Sequence, residues 1–192
     1  MAKLWSLKGD AESAERKFQT ICLWLTVGRS SEAAWLQWDT MDWDSEFNML
    51  FAELPQSKVS AVKLVAFMAG NTAESCFYTC LGDYLVMCAG SRYIYEPGEP
   101  AWVFPSLQKA KSPGVVLGGY MKALQAKGAE LPATINASFF RGGAANFMAL
   151  FMPAEFVAAS TGHMLNGRSA LYEYLEVGRA LLMPGAVVLA GW

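Results

Sequence analysis

Apolar residues recur at helical intervals along most of the first 130 residues, and this periodicity constrains the fold more than any other feature of the sequence. The first such segment is closed by Gly28, a typical helix terminator. Helices are predicted over residues 9–28, 57–69, 75–88 and 113–127. The tryptophan-rich segment 33–54 is predicted to form a helical pair that packs on the next element, or else a docking surface.

The pattern changes in the last third of the chain. The short apolar runs "ATINASFF" and "NFMALFM" are separated by "RGGAA", an arrangement that indicates a β-hairpin over residues 133–152. A further helix is predicted over residues 167–177, and the tail "GAVVLAGW" is β-prone. A mostly helical chain that ends in a hairpin, a helix and a strand predicts an α+β fold.

Apolar residues make up 54% of the chain and charged residues 17%, the opposite of the balance found in disordered proteins. This composition predicts a compact fold with an apolar surface that meets a partner. The formal net charge is −2, so the totals give no clear sign of nucleic-acid binding. The local lysines are interpreted as solvated surface: Lys109, Lys111, Lys122 and Lys127.

Membrane and targeting signals are weak in this sequence. No run reaches the roughly 18 continuous apolar residues that a membrane-spanning helix needs, and "ALLMPGAVVLAGW" is short and interrupted. The N-terminus is too polar for a signal peptide. The sequence therefore predicts a cytosolic protein whose cysteines stay reduced.

Three of the four cysteines, Cys76, Cys80 and Cys88, fall at helical spacing. If Ser75 caps this helix, Cys76 occupies its first position, where the helix dipole favours the thiolate form that acts as a nucleophile. Cys80 and Cys88 are interpreted as thiols of the core. The spacing therefore singles out Cys76 as the candidate reactive cysteine.

Two features leave the role of Cys76 open. Asn71 and Glu74 form an equally good capping pair, which would move Cys76 into the second turn of the helix. The lone histidine, His163, lies in a predicted turn, and such a residue is more often structural than catalytic. One histidine and no CxxC pair also argue against a structural zinc site.

Five motifs occur in an order that resembles a known family. They are "SCFYTCLGDYL", similar to a motif that opens the nucleophile helix, then "WVFPSLQKA", "GAELPATI", "TGHMLNGRSALYEYL" and the tail "VVLAGW". Residues 60–192 thus resemble the papain-like cysteine autoprotease domain of the potyvirus helper component and related leader proteases of positive-strand RNA viruses. Residues 1–59 form an N-terminal helical region without a counterpart in that family.

The resemblance implies a papain-like α+β fold, in which an N-terminal helical part precedes a small antiparallel sheet and the C-terminal strand lies in the active-site cleft. It implies a viral thiol protease of the host cytoplasm that processes a polyprotein by cleaving itself in cis after Gly191, with Cys76 as nucleophile. Its substrate would be its own C-terminal segment, and no cofactor or metal is implied. The cleavage-site residues would be Leu189, Ala190, Gly191 and Trp192.

The catalytic histidine of the resembled family falls on Ala149, in "NFMALFM". Three accounts are open: the natural protein has lost catalysis, a deliberate His-to-Ala change has inactivated it, or the alignment is displaced and His163 is the base. Trp192 after Gly191 fits an inactivated enzyme that has kept its scissile bond.

A second interpretation is a non-enzymatic viral structural or interaction protein with buried core cysteines, in which the tail is an interface strand. A host or viral partner would then bind through the tryptophan-rich N-terminal region. A third interpretation, an RNA-binding suppressor of host defence, is not supported by the net charge. Thiol reactivity separates the first two, because a low-pKa Cys76 reacts with alkylating agents while buried thiols resist.

Overall fold

The computed structural model describes residues 11–55, 62–88, 100–108, 110, 112–133, 135–161 and 179–192. Its helices are α1 (Ala11–Thr26), α2 (Ser30–Ala34), α3 (Phe77–Cys88), α4 (Pro105–Gln108), α5 (Pro113–Ala126), α6 (Ala137–Ala149), α7 (Ala154–Thr161) and α8 (Arg179–Ala190). Its strands are β1 (Met41–Asp44), β2 (Met49–Pro55) and β3 (Val62–Phe67), and a 3-10 turn at Trp38–Thr40 precedes β1. The predicted α+β class is confirmed in this coarse form, as mostly helices with a small three-stranded antiparallel sheet.

The helix α1 lies at the centre of the fold. Eleven of its sixteen residues are buried, including the polar Gln19 and Thr20. A helix buried on nearly all sides has to be covered by several elements, and α1 contacts α2, α3, α6, α8 and β3. The indole N–H of Trp24 also donates a 3.0 Å hydrogen bond to the Leu189 carbonyl, which joins α1 to α8.

Aromatic packing fixes α3 against α1. Phe18 is fully buried, and its ring centroid lies 5.3 Å from those of Phe77 and Tyr84 in α3. Phe104, just before α4, adds a third ring at 5.5 Å. The Tyr84 hydroxyl donates a 2.6 Å hydrogen bond to the backbone carbonyl that precedes Phe104, so its polar tip is satisfied. Because Phe77 is the first residue of α3, this packing fixes the helix start directly after Cys76.

The sheet has the order β1–β2–β3, and both pairs of strands are antiparallel. β1 and β2 form a hairpin in which Trp43 pairs with Leu50, and Asn48 in its turn has a φ of 55°. Asparagine tolerates this left-handed region better than most residues, so it suits the turn. In the second pair Ala52 lies opposite Val65.

The sheet occupies the segments 33–54 and 57–69, for which the periodicity predicts helices, and that prediction is wrong for the described residues that form strands. In β3 Lys63, Val65 and Phe67 on one face and Ala66 on the other are buried, and Leu64 is half-buried. A short run that is apolar at nearly every position also satisfies the helical interval, so periodicity alone cannot tell the two apart. The valines of β3 favour the strand, since β-branched side chains pack well on a pleated surface.

The opposite error occurs in the C-terminal third. The predicted hairpin is instead the helix α6, and the predicted tail strand is the end of α8. Asn136 caps α6 by accepting a 2.9 Å hydrogen bond from the Ser138 N–H. The buried positions of α6 are Phe140, Ala144 and Met148, each four residues apart. The glycines of "RGGAA" lie inside this helix, where packing against α1 offsets their weak helix propensity.

Three predicted helices are confirmed within the described residues, as α1, α3 and α5. Pro113 begins α5, and Gly128 follows its end with a φ of 86°, the order expected of proline and glycine at helix ends. The helix predicted over residues 167–177 lies outside the described residues.

The boundary predicted between an N-terminal region 1–59 and a protease domain 60–192 falls between β2 and β3, which pair with each other. The helix α1 also packs on α3, α6 and α8. Residues from both sides of this boundary therefore share one sheet and one core.

Gly70 lies against the backbone at the start of α3. A Cβ added at Gly70 would meet the Cα and N of Cys76 at 2.8 Å, closer than real side chains approach. We expect Gly70→Ala to lower the free energy of unfolding by roughly 1–3 kcal/mol, because backbone atoms must shift. Gly82→Ala in α3 is the control, since a Cβ there meets no atom within 4 Å. It should raise the free energy of unfolding by about 0.5–1 kcal/mol, because alanine has the higher helix propensity. Urea unfolding measures both, and equal effects would contradict the close approach.

Candidate functional site

The turn after α1 presents Arg29 at the start of α2. The Glu32 carboxylate accepts a 2.9 Å hydrogen bond from the Arg29 N–H and a 2.7 Å hydrogen bond from the Arg29 guanidinium. Glu32 thus caps the start of α2, as the glutamate of a capping box does. Glu32 is 2% exposed, whereas the Arg29 side chain keeps 37% of its surface exposed. The carboxylate is therefore held inside the fold while the guanidinium remains accessible.

Lys63 reaches the same turn from β3. It is buried, and its Nζ donates a 2.6 Å hydrogen bond to the Thr26 carbonyl at the end of α1. Burial lowers the pKa of Lys63 to about 8; Glu32 opposes this shift, and the cations Arg141 and Arg29 add to it. Lys63 therefore lies within electrostatic range of charges on α2 and α6.

Arg141 approaches from α6. Its Nη2 donates a 2.7 Å hydrogen bond to the Thr161 carbonyl at the end of α7. Burial lowers the pKa of Arg141, Arg29 lowers it further, and Glu32 raises it. Arg141 therefore interacts electrostatically with both Arg29 and Glu32.

These residues form one site, which we call the basic cluster: Arg29, Glu32, Lys63 and Arg141. Arg29, directly before α2, pairs with the carboxylate, and Lys63 from β3 and Arg141 from α6 interact with it electrostatically, so the cluster carries an excess of positive charge. Guanidinium groups present paired N–H donors that match the oxygens of a phosphate group. Perturbed ionisable groups gathered in this way are typical of functional sites.

Cys76 stands directly before α3, so it is the capping residue and not the first helical residue. Its carbonyl accepts a 3.1 Å hydrogen bond from the Cys80 N–H, and it is 9% exposed. Burial raises the pKa of Cys76, but hydrogen bonds from Thr79, Gly70 and Tyr78 to the sulfur outweigh burial, and the net pKa is lowered. These hydrogen bonds favour the thiolate form of Cys76, and its role as a nucleophile stays a prediction.

The other cysteines lie in the core. Cys80 is 2% exposed, and burial, Asp83 and Cys76 together raise its pKa to about 12. Cys22 and Cys88 are fully buried, and burial raises the pKa of Cys22 far above its usual value. Cys76 is thus the most exposed of these four thiols, and its pKa is lowered.

The C-terminal residues lie against the loop that leads to Cys76. The Asn71 N–H donates a 3.1 Å hydrogen bond to the Ala190 carbonyl, and its side-chain amide donates to the Gly191 carbonyl. The Trp192 indole N–H donates a 2.7 Å hydrogen bond to the Ala69 carbonyl. The loop and the tail therefore meet, as a cis substrate would require.

The tail is helical, however, and the predicted extended strand is wrong. Leu189 and Ala190 are the last residues of α8, and Gly191 follows with a φ of 87°. The N–H groups of Gly191 and Trp192 donate to the carbonyls of Val188 and Val187, at 3.1 and 3.2 Å. These two bonds form a Schellman motif. The "GW" end therefore has a structural explanation as a helix cap.

A cleft of about 520 Å³ opens beside this tail. Its walls are mainly apolar and aromatic, and include Trp24, Phe139 and Phe147, while Asn71 and Ser75 supply polar groups. Ala149 is not among the residues that line this cleft. Ala149 is exposed at the last position of α6, so the strand expected around it is wrong. His163 lies outside the described residues.

The tryptophan-rich segment is not a helical pair. Trp35 ends α2, Trp38 begins the 3-10 turn, and Trp43 lies on β1. Trp43 is 49% exposed and meets the Tyr78 ring edge-on at 5.9 Å. The partner predicted for this region stays a prediction.

In the described part of the chain, no group of three or more His, Cys, Asp and Glu residues could hold a metal ion. Within the same residues, every helix is too short or too polar to cross a membrane.

Comparison with known proteins gives one informative result. The sequence matches no protein-family model and no curated protein. The fold is similar to that of the solved structure "FLP Recombinase-Holliday Junction Complex I", with a TM-score of 0.64 and 10% sequence identity. The match covers 93% of this chain and 45% of that chain, so this chain spans less than half of the recombinase's length. At this identity the likeness shows a shared fold alone.

The sequence reasoning missed the basic cluster. Glu32 carries a weak local signal, because an acidic residue is favoured in the first turn of a helix. Lys63 and Arg141 carry no such signal. They lie far apart along the chain, and the fold alone brings them together.

Lys63 makes stability depend on pH. Its pKa falls from 10.5 to about 8 in the folded protein, so between these values the unfolded chain binds a proton that the folded protein has released. Stability should therefore rise with pH across this window, by up to about 3 kcal/mol. Urea unfolding between pH 7 and 10 measures the rise, which Lys63→Met should remove and Lys122→Met, at an exposed position, should keep. A rise of the same size in Lys63→Met would contradict the assignment.

Proposed function

We propose that this chain binds the phosphodiester backbone of DNA and that the basic cluster is its active site for strand breakage and rejoining. The observation that carries the proposal is the convergence of three cations on the turn after α1. Arg29 binds Glu32 there, Lys63 donates to the Thr26 carbonyl, and Arg141 interacts electrostatically with Arg29 and Glu32. Like charges repel, and partial burial makes their repulsion stronger. A bound anion balances such a group of cations.

The fold likeness supports DNA as the source of that anion. The similar structure is a recombinase in complex with a Holliday junction, and the match extends over 93% of this chain. The roles of individual residues do not follow from a 10% identity. They rest on the cluster itself.

The cluster suits the chemistry of phosphoryl transfer. When a nucleophile attacks a phosphodiester, negative charge builds up on the phosphate oxygens, and cations already fixed nearby stabilise that state. The accessible guanidinium of Arg29 can contact these oxygens directly, with Arg141 beside it. Lys63 is buried, so it strengthens the local field from behind.

Rejoining a broken strand without a high-energy cofactor requires that the bond energy be kept in a covalent link between the phosphate and a side chain. A tyrosine hydroxyl can form such a link. Tyr172 and Tyr174 follow Thr161 in the sequence, outside the described residues. Single Phe replacements at these two positions would identify the nucleophile, because they remove the hydroxyl alone.

Binding of a four-way DNA junction tests the proposal. We expect Arg29→Ala and Arg141→Ala each to weaken binding by about tenfold or more, because each removes charge-assisted hydrogen bonds to phosphate. Fluorescence anisotropy at several salt concentrations measures the affinity, and the salt dependence should become shallower in both variants. Lys122→Ala, at an exposed position of α5, is the matched control for loss of one positive charge. A folded wild-type protein that does not bind the junction would sink the proposal.

An autoproteolytic thiol protease is the second candidate. The lowered pKa of Cys76 and the contact of Asn71 with Ala190 and Gly191 favour it. In this form the enzyme would be inactive, with Ala149 at the histidine position. The helical cap weighs against it, since a protease binds its substrate extended and α8 would first have to unwind.

The protease is tested by restoring the missing base. If the chain is an autoprotease, Ala149→His with a short extension after Trp192 should release a chain ending at Gly191, and Ala149→His/Cys76→Ala should stay intact. Mass spectrometry distinguishes the two products. An intact chain in both variants, with Cys76 alkylated faster than Cys80, would exclude autoproteolysis and leave a reactive thiol of another role.

A further inference from the structure

A small polar cavity lies where the end of α1 meets β3, α7 and α8. Its volume is about 20 Å³, and Thr26, Lys63 and Ser160 line it together with apolar residues. A buried water molecule needs about 10–15 Å³ of space and two to four polar partners. The cavity therefore has the size and the polar groups that suit a single water molecule.

Thr26 carries a buried polar group that needs a partner. The residue is 2% exposed, and its hydroxyl has no hydrogen-bond partner among the described residues. A buried hydroxyl that stays unpaired destabilises the fold, and most such groups in folded proteins are paired with protein atoms or with ordered water. The Thr26 hydroxyl thus points to a small polar ligand at this place.

Lys63 and Ser160 reach the same cavity from other elements. The Lys63 ammonium carries three N–H donors, and the Thr26 carbonyl takes one of them at 2.6 Å, which fixes the ammonium at the end of α1. A Cβ added at Gly185 would meet the Ser160 hydroxyl at 3.3 Å, so this hydroxyl lies against the wall that α8 gives to the cavity. Glycine at that position leaves room which a side chain would fill.

We propose that this cavity binds one water molecule, which bridges the hydroxyls of Thr26 and Ser160 and the ammonium of Lys63. Buried waters typically make about three hydrogen bonds, so one molecule satisfies all three groups. The water joins the end of α1 to β3 and α7. It requires no DNA, so the site is independent of the function proposed above.

Urea unfolding of Thr26→Val tests the water site by the sign of the effect. Valine has nearly the shape of threonine and lacks the hydroxyl. With the water bound, the unfolding equilibrium constant should rise about fivefold, because the water loses a partner. An unpaired hydroxyl would give the opposite result, since valine would then remove a destabilising group, and a fall in the constant would overturn the proposal.

Thr20→Val is the matched control in the same helix. Its hydroxyl is also buried, but it donates a 2.7 Å hydrogen bond to the Arg16 carbonyl inside α1. Because the helix backbone already uses that carbonyl, loss of the hydroxyl should change the unfolding constant less than about twofold.

A double-mutant cycle distinguishes a shared water from two independent hydroxyls. The variants are Thr26→Val, Ser160→Ala and both together. If one water bridges the two hydroxyls, either replacement disturbs it, and the double variant should be about threefold more stable than the product of the single effects predicts. Additive effects would overturn the bridge.

A crystal structure of the wild-type protein observes the site directly. We expect a water peak within about 2.7–3.2 Å of Thr26 Oγ1, Lys63 Nζ and Ser160 Oγ, and its loss or displacement in Thr26→Val. An ordered Thr26 side chain beside a cavity without such a peak would overturn the proposal. So would a peak whose anomalous signal identifies it as chloride.

Discussion

The burial of α1 is the constraint on which the rest of this structure depends. Phe18 joins it to α3 and to the loop before α4, and Trp24 joins it to α8. The chain leaves α1 at Thr26, whose carbonyl Lys63 holds from the sheet. Because the next turn carries Arg29, the central helix fixes the first member of the basic cluster. The site is thus built on the end of the buried central helix.

In the basic cluster, the stability of the fold and the proposed function favour opposite protonation states of Lys63. Burial of Lys63 in its charged form destabilises the folded protein, so folding favours the neutral form of this lysine. In the proposed phosphate site the same positive charge would attract the ligand that Glu32 repels. Functional sites often keep such locally unfavourable groups, which the surrounding packing maintains. Here the surrounding packing is β3, which pairs with β2 and contacts both α1 and α8.

The sequence predicts those helices whose ends carry clear signals, such as Gly28 after α1 and Pro113 at the start of α5. It fails where a short buried run satisfies two periodicities, as from Lys63 to Phe67, and where glycines suggest a turn inside α6. The lowered pKa of Cys76 could be anticipated, since helix starts favour thiolates locally. The basic cluster could not, because Lys63 and Arg141 become neighbours of Arg29 only through long-range packing.

The long-range contact between α1 and α8 affects how the chain folds. The hydrogen bond from Trp24 to the Leu189 carbonyl closes a loop of 165 residues, whereas the sheet is built from neighbouring hairpins. Closing a long loop costs conformational entropy before the contact at its ends can stabilise the chain, and this cost slows folding. The packing of α1 on α8 therefore slows folding relative to a helical protein whose contacts are all local.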